Sequence, residues 1–146
     1  MGSIIVLNIR LIAVGTLKEK YFADAVAEHA KRLSKYCKFE IVEIKESTVK
    51  KETDAIKEKI KGYSILCDIK GELITSESLA DKINKLTQIN SAITFIIGGS
   101  DGVGDISVNE KISLGRITLP HQLFRVVLAE QIYRAFTIIK GEKYHK

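Results

Sequence analysis

The strongest constraint on the fold of this chain is the regular alternation of short apolar runs with longer helical patterns. The predicted strands are residues 9–14, 39–44, 64–69, 93–97 and 117–119. The predicted helices are residues 19–35, 53–61, a segment beginning at Ser76, residues 107–114 and residues 123–139. Such alternation is typical of an α/β fold with a mostly parallel sheet, whose ligands bind beyond the carboxyl ends of the strands. We expect residues 1–146 to form a single domain.

Charge and cysteine content narrow the class of protein. The formal net charge is +5, and the segment from residue 121 onwards contains five basic and two acidic residues, hence +3 of that excess. This favours an anionic partner such as nucleic acid. The two cysteines, Cys37 and Cys67, form neither a disulfide framework nor a metal motif. We find neither a signal peptide nor a membrane-length apolar run in the sequence, and therefore expect a cytoplasmic protein without a metal.

The glycine-rich segment from residue 98 to 104 (GGSDGVG) directly follows the wholly apolar strand 93–97. It is not a phosphate-binding P-loop, and it lacks the register of a dinucleotide-binding fingerprint, which argues against a Rossmann-type enzyme. Two interpretations stay open: a tight turn that needs a positive φ, or a turn whose backbone approaches a ligand closely. Residues 114–120 form a second candidate, because Gly115 and Pro120 flank a short segment with exposed backbone groups.

The last helix and the tail behind it carry the reactive side chains. Arg134 lies on the helix, and Tyr144, His145 and Lys146 end the chain. Histidine can take a proton near neutral pH, arginine and lysine bind phosphate, and tyrosine can stack on a base. Such a tail is either frayed or docked into a site. The simplest role for Arg134 itself is an ion pair with Glu130, four residues earlier.

Two further features have mainly structural interpretations. His29 falls on the apolar face of the first helix, so we expect it to be partly buried. His121 follows Pro120 at a helix start, where capping or orientation would account for it. The last helix is apolar around most of its circumference, which predicts that it is buried from several sides. We expect part of this apolar surface to be buried in a subunit interface.

Taken together, these segments resemble a known family. The stretches IRLIAVGTLKEKYF, DIKGELITSESLA, TFIIGGSDG, ITLPHQLFRVVLAEQIYRAF and GEKYHK resemble the large-subunit ribosomal RNA methyltransferase H proteins, in the same order and over nearly the whole chain. The resemblance implies a SPOUT methyltransferase, a homodimer whose parallel sheet is threaded into a C-terminal trefoil knot. Family members usually begin where this chain has Leu7, so we expect residues 1–6, or 1–7, to be additional. The region from residue 46 to 52 is shorter than is usual in the family.

The resemblance also implies a cofactor and its site. S-adenosylmethionine would bind in a bent form against the residues that match the family pattern: Cys67, Gly98, Leu114, Gly115, Arg116, Ile117, Thr118 and Leu119. Cys67 departs from that pattern, in which leucine is usual. A sulfonium methyl donor needs no metal, so the resemblance implies an enzyme without a metal ion.

The implied reaction is methylation of N3 of pseudouridine 1915 in helix 69 of 23S rRNA, on the assembled 70S ribosome. His145 is then the candidate base and Tyr144 the residue that positions the uracil. Arg134 is a third candidate catalytic residue, because it could stabilise the imide anion while water takes the proton. Arg134, Lys143 and Lys146 would bind RNA phosphates, with the tail of one subunit completing the pocket of the other. The alternatives are a SPOUT enzyme acting on another RNA, such as tRNA, or a ribose oxygen, and a non-enzymatic RNA-binding or ribosome-associated module.

Overall fold

The fold is described by a computed structural model covering residues 7–146. Five strands and four helices alternate over most of this range. The strands are β1 (Asn8–Val14), β2 (Lys38–Ile44), β3 (Tyr63–Leu73), β4 (Ala92–Ile97) and β5 (Glu110–Ser113). The helices are α1 (Lys20–Leu33), α2 (Val49–Lys59), α3 (Ser76–Thr87) and α4 (His121–Ile139). The expectation for residues 1–6 lies outside the described residues.

The strands form one parallel sheet in the order β2-β1-β4-β3-β5. The predicted α/β class with a parallel sheet is therefore confirmed, while the trefoil knot stays a prediction. Strand β4 lies in the middle and is buried along its whole length, which explains why its sequence is apolar at nearly every position. Because every strand points the same way, the segments after β1, β3, β4 and β5 gather at one edge of the sheet.

Helices cover both faces of the sheet, which gives three layers. Side chains from alternate positions of β1 point to opposite faces: Ile9 and Leu11 join one core cluster and Ile12 joins the other. The larger cluster lies beneath α1, α3 and α4, and the smaller one beneath α2. Helix α4 packs against both α1 and α3 and buries Leu128, Ile132 and Phe136.

The structure corrects the sequence prediction in the segment before α4. Residues 107–114 were predicted as a helix, but Glu110–Ser113 form strand β5 on the open edge of β3. The side chain of Asn109 fixes this pairing, since its Oδ1 accepts the Ser64 backbone N–H at 2.8 Å. Ile112 is fully buried in this strand, and the pairing gives the backbone of the β3 edge hydrogen-bond partners that a short helix would not supply.

Residues 117–119 were predicted as a strand and are a loop instead. Ile117 is 81% exposed and faces outwards, and the segment pairs with no strand of the sheet. The turn before it is closed by the Ser113 hydroxyl, which donates to the Gly115 carbonyl at 2.9 Å. Gly115 has a φ of +156°, a backbone conformation that diverts the chain from the sheet.

The observed boundaries of α2 and β3 differ from the predicted ones. Helix α2 begins at Val49 rather than residue 53, because the Thr48 side chain accepts the Lys51 N–H and caps its first turn. Strand β3 continues past residue 69 to Leu73, with an irregularity between Cys67 and Glu72 where it pairs with Ile112. The predicted start of α3 at Ser76 is confirmed, with Thr75 and Ser78 forming a capping box.

Candidate active site

A cavity of about 500 Å³ opens at the carboxyl edge of the sheet, where β3, β4 and β5 end. We call it the first cavity. Its volume is typical of a pocket for a small organic ligand, for which roughly 300–1,000 Å³ is usual. The lining combines the strand ends with two loops, and consists of residues 66–70, 97–103, 113–115 and 117–119 together with His121 and Phe124. The position matches the general rule for ligands of parallel sheets.

The structure brings seven of the eight predicted cofactor-binding residues to this cavity. They are Cys67, Gly98, Leu114, Gly115, Ile117, Thr118 and Leu119. Arg116 is the exception, because it does not line the cavity and its guanidinium Nη1 donates to the Gly71 carbonyl at 3.3 Å. The residues come from three separate stretches of sequence, and only the parallel sheet places them together.

The glycine-rich segment combines the two interpretations that the sequence left open. Residues 99–102 form a tight turn, since the Gly102 N–H donates to the Gly99 carbonyl at 2.9 Å and Gly102 has a φ of +79°. The same turn lines the first cavity. A Cβ on Gly98 would lie 2.6 Å from a methyl group of Val103, so glycine is also required there by close packing.

Cys67 lies at the end of the part of β3 that pairs with β4, and it is one of the residues that line the cavity. Burial raises the pKa of this thiol to about 12. The thiol is therefore protonated at neutral pH and offers a ligand van der Waals contact and little nucleophilicity. Cys37 is also a free thiol, and burial raises its pKa to about 12 as well.

The C-terminal tail is docked. Tyr144 donates its hydroxyl to Glu130 Oε2 at 2.8 Å, and the guanidinium of Arg134 lies 4.9 Å from the centre of the Tyr144 ring. Glu130 also forms the expected ion pair with Arg134, at 2.8 Å. Nearer the start of the tail, Glu142 accepts the Tyr36 hydroxyl at 2.8 Å. The tail is thus fixed to α4 and to the segment that follows α1 by several charge-assisted hydrogen bonds, which are stronger than neutral ones.

His145 lies between two charged side chains. Arg134 Nη1 is 3.0 Å from Nδ1 of the ring, and Glu77 Oε2 is 2.7 Å from Nε2. A guanidinium can only donate, so Nδ1 accepts in this arrangement and Nε2 carries the proton that Glu77 accepts. The hydrogen bond to His145 is the largest cause of the lowered pKa of the Glu77 carboxyl. The lone pair that a base would use is therefore already bonded to Arg134.

The predicted catalytic residues are close to one another but do not line the first cavity. Arg134, Tyr144 and His145 form one cluster, yet none of the three lines that cavity. Lys143 and Lys146 are exposed near the same cluster. His121, for which we predict capping or orientation as the role, makes no side-chain cap and lines the cavity. His29 is partly buried as predicted, and burial lowers the pKa of its imidazole.

Sequence reasoning missed several residues at these sites. Asp68, Asp101 and Phe124 line the first cavity, and Glu77 binds His145. Asp68 lies near the end of the predicted strand 64–69, and Asp101 lies in the glycine-rich segment after β4, so the rule about strand ends could have identified them. Glu77 gave no such signal, because an acidic residue in the first turn of a helix is common for reasons of helix electrostatics.

Among residues 7–146, no group of three or more histidine, cysteine, aspartate or glutamate side chains is arranged to hold a metal ion. Over the same residues, no helix has the length and apolar character needed to cross a membrane.

Comparison with known proteins identifies the class to which this fold and cavity belong. A family model described as "Predicted SPOUT methyltransferase" matches residues 7–145. The chain therefore belongs to the SPOUT methyltransferase family and is a methyltransferase.

Individual relatives match over nearly their full length. The chain is 50% identical to the ribosomal RNA large subunit methyltransferase H of Limosilactobacillus reuteri, over 96% of this chain and 100% of that protein. It is 47% identical to the protein of that name from Clostridium acetobutylicum, with the same coverage. For Caldicellulosiruptor saccharolyticus the identity is 44%, over 94% of this chain and 99% of the relative. The first two alignments span 159 positions, more than the 146 residues here, so this chain lacks residues that those proteins contain.

Proposed function

We propose that this methyltransferase uses S-adenosylmethionine to methylate N3 of pseudouridine 1915 in helix 69 of 23S rRNA, on the assembled 70S ribosome. The observation that carries the proposal is the gathering of seven predicted cofactor residues around one cavity at the carboxyl edge of the sheet. The full-length similarity to proteins named ribosomal RNA large subunit methyltransferase H supports the choice of substrate. Family membership sets aside the non-enzymatic alternative.

The residues of the first cavity fit S-adenosylmethionine. Leu114, Ile117 and Leu119 provide apolar surface for a flat heterocycle, and the adjacent loop backbone provides hydrogen-bonding groups for its edge. The carboxylates of Asp68 and Asp101 lie at the same cavity and favour a ligand with positive charge. S-adenosylmethionine would supply an electrophilic methyl group, whose carbon bonds to N3 as the sulfur–carbon bond breaks to leave a neutral thioether.

His145 remains our candidate for the base that takes the N3 proton, and the structure sets a condition on that role. Its Nδ1 accepts from Arg134 in the docked tail, so this bond must open before Nδ1 can receive the proton. Glu77 would then stabilise the charged ring through Nε2. Once released, Arg134 would be free to stabilise the developing imide anion or to bind a phosphate. Tyr144, stacked near Arg134, would position the uracil ring.

A homodimer would bring the tail cluster to a cofactor cavity. Arg134, Tyr144 and His145 do not line the first cavity of their own subunit, so the tail of a second copy would complete it. Apolar side chains at the cavity support this arrangement, because Ile69 is 41% and Ile117 81% exposed in the single chain. We further propose that the chain is threaded as a trefoil knot and that the enzyme acts in the cytoplasm, where ribosomes are found.

RNA recognition would rest mainly on the ribosome. Arg134, Lys143 and Lys146 would bind phosphates, which position a protein on RNA without reading its sequence. The described residues form no separate RNA-binding domain. A large preassembled substrate that presents helix 69 would therefore have to supply most of the specificity. A free tRNA, the substrate of the rival proposal, would need a more extensive protein surface.

The decisive experiment is methyl transfer from labelled S-adenosylmethionine to 70S ribosomes purified from a strain that lacks this gene. We expect one methyl group, which mass spectrometry would locate on pseudouridine 1915. His145→Ala should lower the single-turnover rate by roughly 10²-fold or more, the usual contribution of a general base. A full rate in this variant would favour proton transfer to water. Cofactor binding without transfer to ribosomes would point to another RNA.

A further inference from the structure

A second cavity, of about 420 Å³, lies beside the first one at the same edge of the sheet. It is formed where β1 and β2 end, and it uses the start of α4 as one wall. The two cavities share Gly99, Ser100, Asp101 and His121. A ligand in one cavity would therefore be the immediate neighbour of a ligand in the other, which is the arrangement that group transfer requires.

A buried arginine lines the second cavity. Arg125 is 3% exposed; its Nη2 donates to the Gly15 carbonyl at 3.1 Å and its Nη1 pairs with Glu43. The Nε of Arg125 has no hydrogen-bond acceptor among residues 7–146. Orphan buried N–H groups are rare in native structures, so a cationic side chain held in this way beside a cavity indicates a site for a polar ligand.

The walls of the second cavity are held in place by hydrogen bonds that do not involve a ligand. Gln122 Oε1 accepts the Lys18 N–H at 2.8 Å, which ties the loop after β1 to α4. Glu52 is 7% exposed, and its Oε2 accepts the Ser47 N–H at 2.8 Å, which ties down the loop after β2. Preformed walls of this kind lower the cost of ordering a site on binding.

The chemistry of the lining suits a flat polar heterocycle more than a simple anion. The carboxylates of Glu46, Glu52 and Asp101 outnumber the cations of Lys18 and Arg125, so a bare phosphate or sulfate would meet net repulsion. Aromatic surface comes from Phe22 and His121, and hydroxyl groups come from Thr16 and Ser47. A pyrimidine ring can stack on the former and exchange hydrogen bonds with the latter, while exposed Lys18 can reach a flanking phosphate.

We propose that the second cavity receives the pyrimidine nucleoside that is to be methylated, after that nucleoside has left its base stack. This inference rests on the proposed function and assigns the acceptor to a place of its own. Its N3 would meet the methyl carbon where the cavities adjoin, at Asp101 and His121. A base flipped out of a stack is read by a pocket of such mixed aromatic and polar character.

The test blocks the second cavity without touching the first. Ser47→Trp puts a large ring at an exposed position of the second cavity, and Ser91→Trp makes the same change at the opposite edge of the sheet. With 70S ribosomes, we expect kcat/KM to fall at least about tenfold for Ser47→Trp and to stay unchanged for Ser91→Trp. The affinity for S-adenosylmethionine, measured by calorimetry, should be the same for the wild-type protein, Ser47→Trp and Ser91→Trp. Lys18→Ala should raise KM for ribosomes, because it removes the cation that would reach a flanking phosphate.

Two outcomes would overturn the inference while the proposed function stands. One is a normal kcat/KM in Ser47→Trp. The other is a loss of S-adenosylmethionine affinity in Ser47→Trp as large as its loss of kcat/KM, which would assign the second cavity to the cofactor. If the wild-type protein transfers no methyl to ribosomes, the proposed function fails, and titration with pseudouridine 5′-monophosphate tests the cavity instead. Nuclear magnetic resonance shifts centred on Phe22 and Ser47 would support it, and shifts elsewhere or none would reject it.

Discussion

At the scale of single residues, environment determines what each reactive side chain can do. His145 would be an ordinary exposed histidine at a free chain end, but Arg134 and Glu77 assign a role to each of its ring nitrogens. Glu130 accepts from both Arg134 and Tyr144, so one carboxylate holds two of the three predicted catalytic residues. Truncating Glu130 would therefore remove a hydrogen-bond partner of Arg134 and of Tyr144 at once.

The cysteines give a prediction at this scale. Burial raises the pKa of Cys37 and of Cys67 to about 12, well above the value near 8.5 of a free thiol. Because only the thiolate reacts, we expect iodoacetamide at pH 7.5 to modify both roughly a thousandfold more slowly than a free cysteine. The rate should rise about tenfold per pH unit from pH 7 to 9. Mass spectrometry of the intact protein measures both quantities.

A matched control for the thiol experiment is Ser91→Cys, which adds an exposed thiol outside both cavities. Native thiols that react as fast as the introduced one would contradict the slow modification expected of Cys37 and Cys67. A rate that levels off below pH 9 would contradict the raised pKa values.

At the scale of elements, the tail behaves as a segment held by side chains rather than by regular structure. Residues 140–146 contain no helix or strand, yet Glu142, Tyr144 and His145 each bind a different helix or its flank. Loops that carry function are usually positioned by a rigid scaffold in this way. Opening the tail would break a few polar contacts and leave the core clusters intact, which is suited to a segment that must rearrange around a substrate.

The Glu142 contact predicts how the tail responds to pH. The hydrogen bond from Tyr36, followed by Lys35, holds the pKa of the Glu142 carboxyl below its ordinary value. A depressed carboxyl pKa stabilises the docked tail above the unfolded value, near 4.3, and this contribution is lost as the pH falls through the folded value. We expect the Tyr36 ring resonances to change with a midpoint below about 4.3 in an acid titration.

Glu142→Gln is the matched control for that titration. Its amide oxygen can still accept the Tyr36 hydroxyl but does not titrate, so the acid-dependent change at Tyr36 should disappear. A midpoint at or above the ordinary glutamate value in the wild-type protein would mean that the Tyr36–Glu142 contact does not hold the tail.

At the scale of the whole molecule, the proposed homodimer rests on the observation that Arg134, Tyr144 and His145 do not line the first cavity. A dimer in which each tail completes the other subunit's site makes a prediction that a self-sufficient subunit does not. His145→Ala lacks the tail function, and Thr118→Trp fills the first cavity from its exposed wall. Each variant alone should be nearly inactive.

Mixing these two variants after dissociation and reassociation should restore activity. Random pairing would make half of the dimers mixed, each with one complete site, so the recovered rate should be about a quarter of wild type. The measurement is methyl transfer to ribosomes, with light scattering to confirm the dimer. No recovery in a sample shown to contain mixed dimers would mean that the tail serves its own subunit.

Sequence periodicity by itself determined the fold class and most of the elements. Strand β4 was predicted correctly because burial on both faces leaves an unbroken apolar run, and α3 because its cap and inward residues share one short segment. Local patterns gave wrong predictions between residues 107 and 119. The segment predicted as a helix contains strand β5, which pairs with the edge of β3, and the segment predicted as a strand is a loop that leaves the sheet at the Gly115 turn. Those choices depend on partners far away in the chain.

Only the tertiary structure decided which reactive residues meet. The motifs around Cys67, Gly98 and Leu114 are separated by long stretches of sequence, and the parallel sheet brings them to one edge. The contact of Glu77 with His145 spans 68 residues and follows from the packing of α3 against α4. Residue type and spacing along a chain specify the local conformation and the reactions in which each side chain can take part. Proximity between distant segments depends on how the buried faces of those segments pack, which no local pattern records.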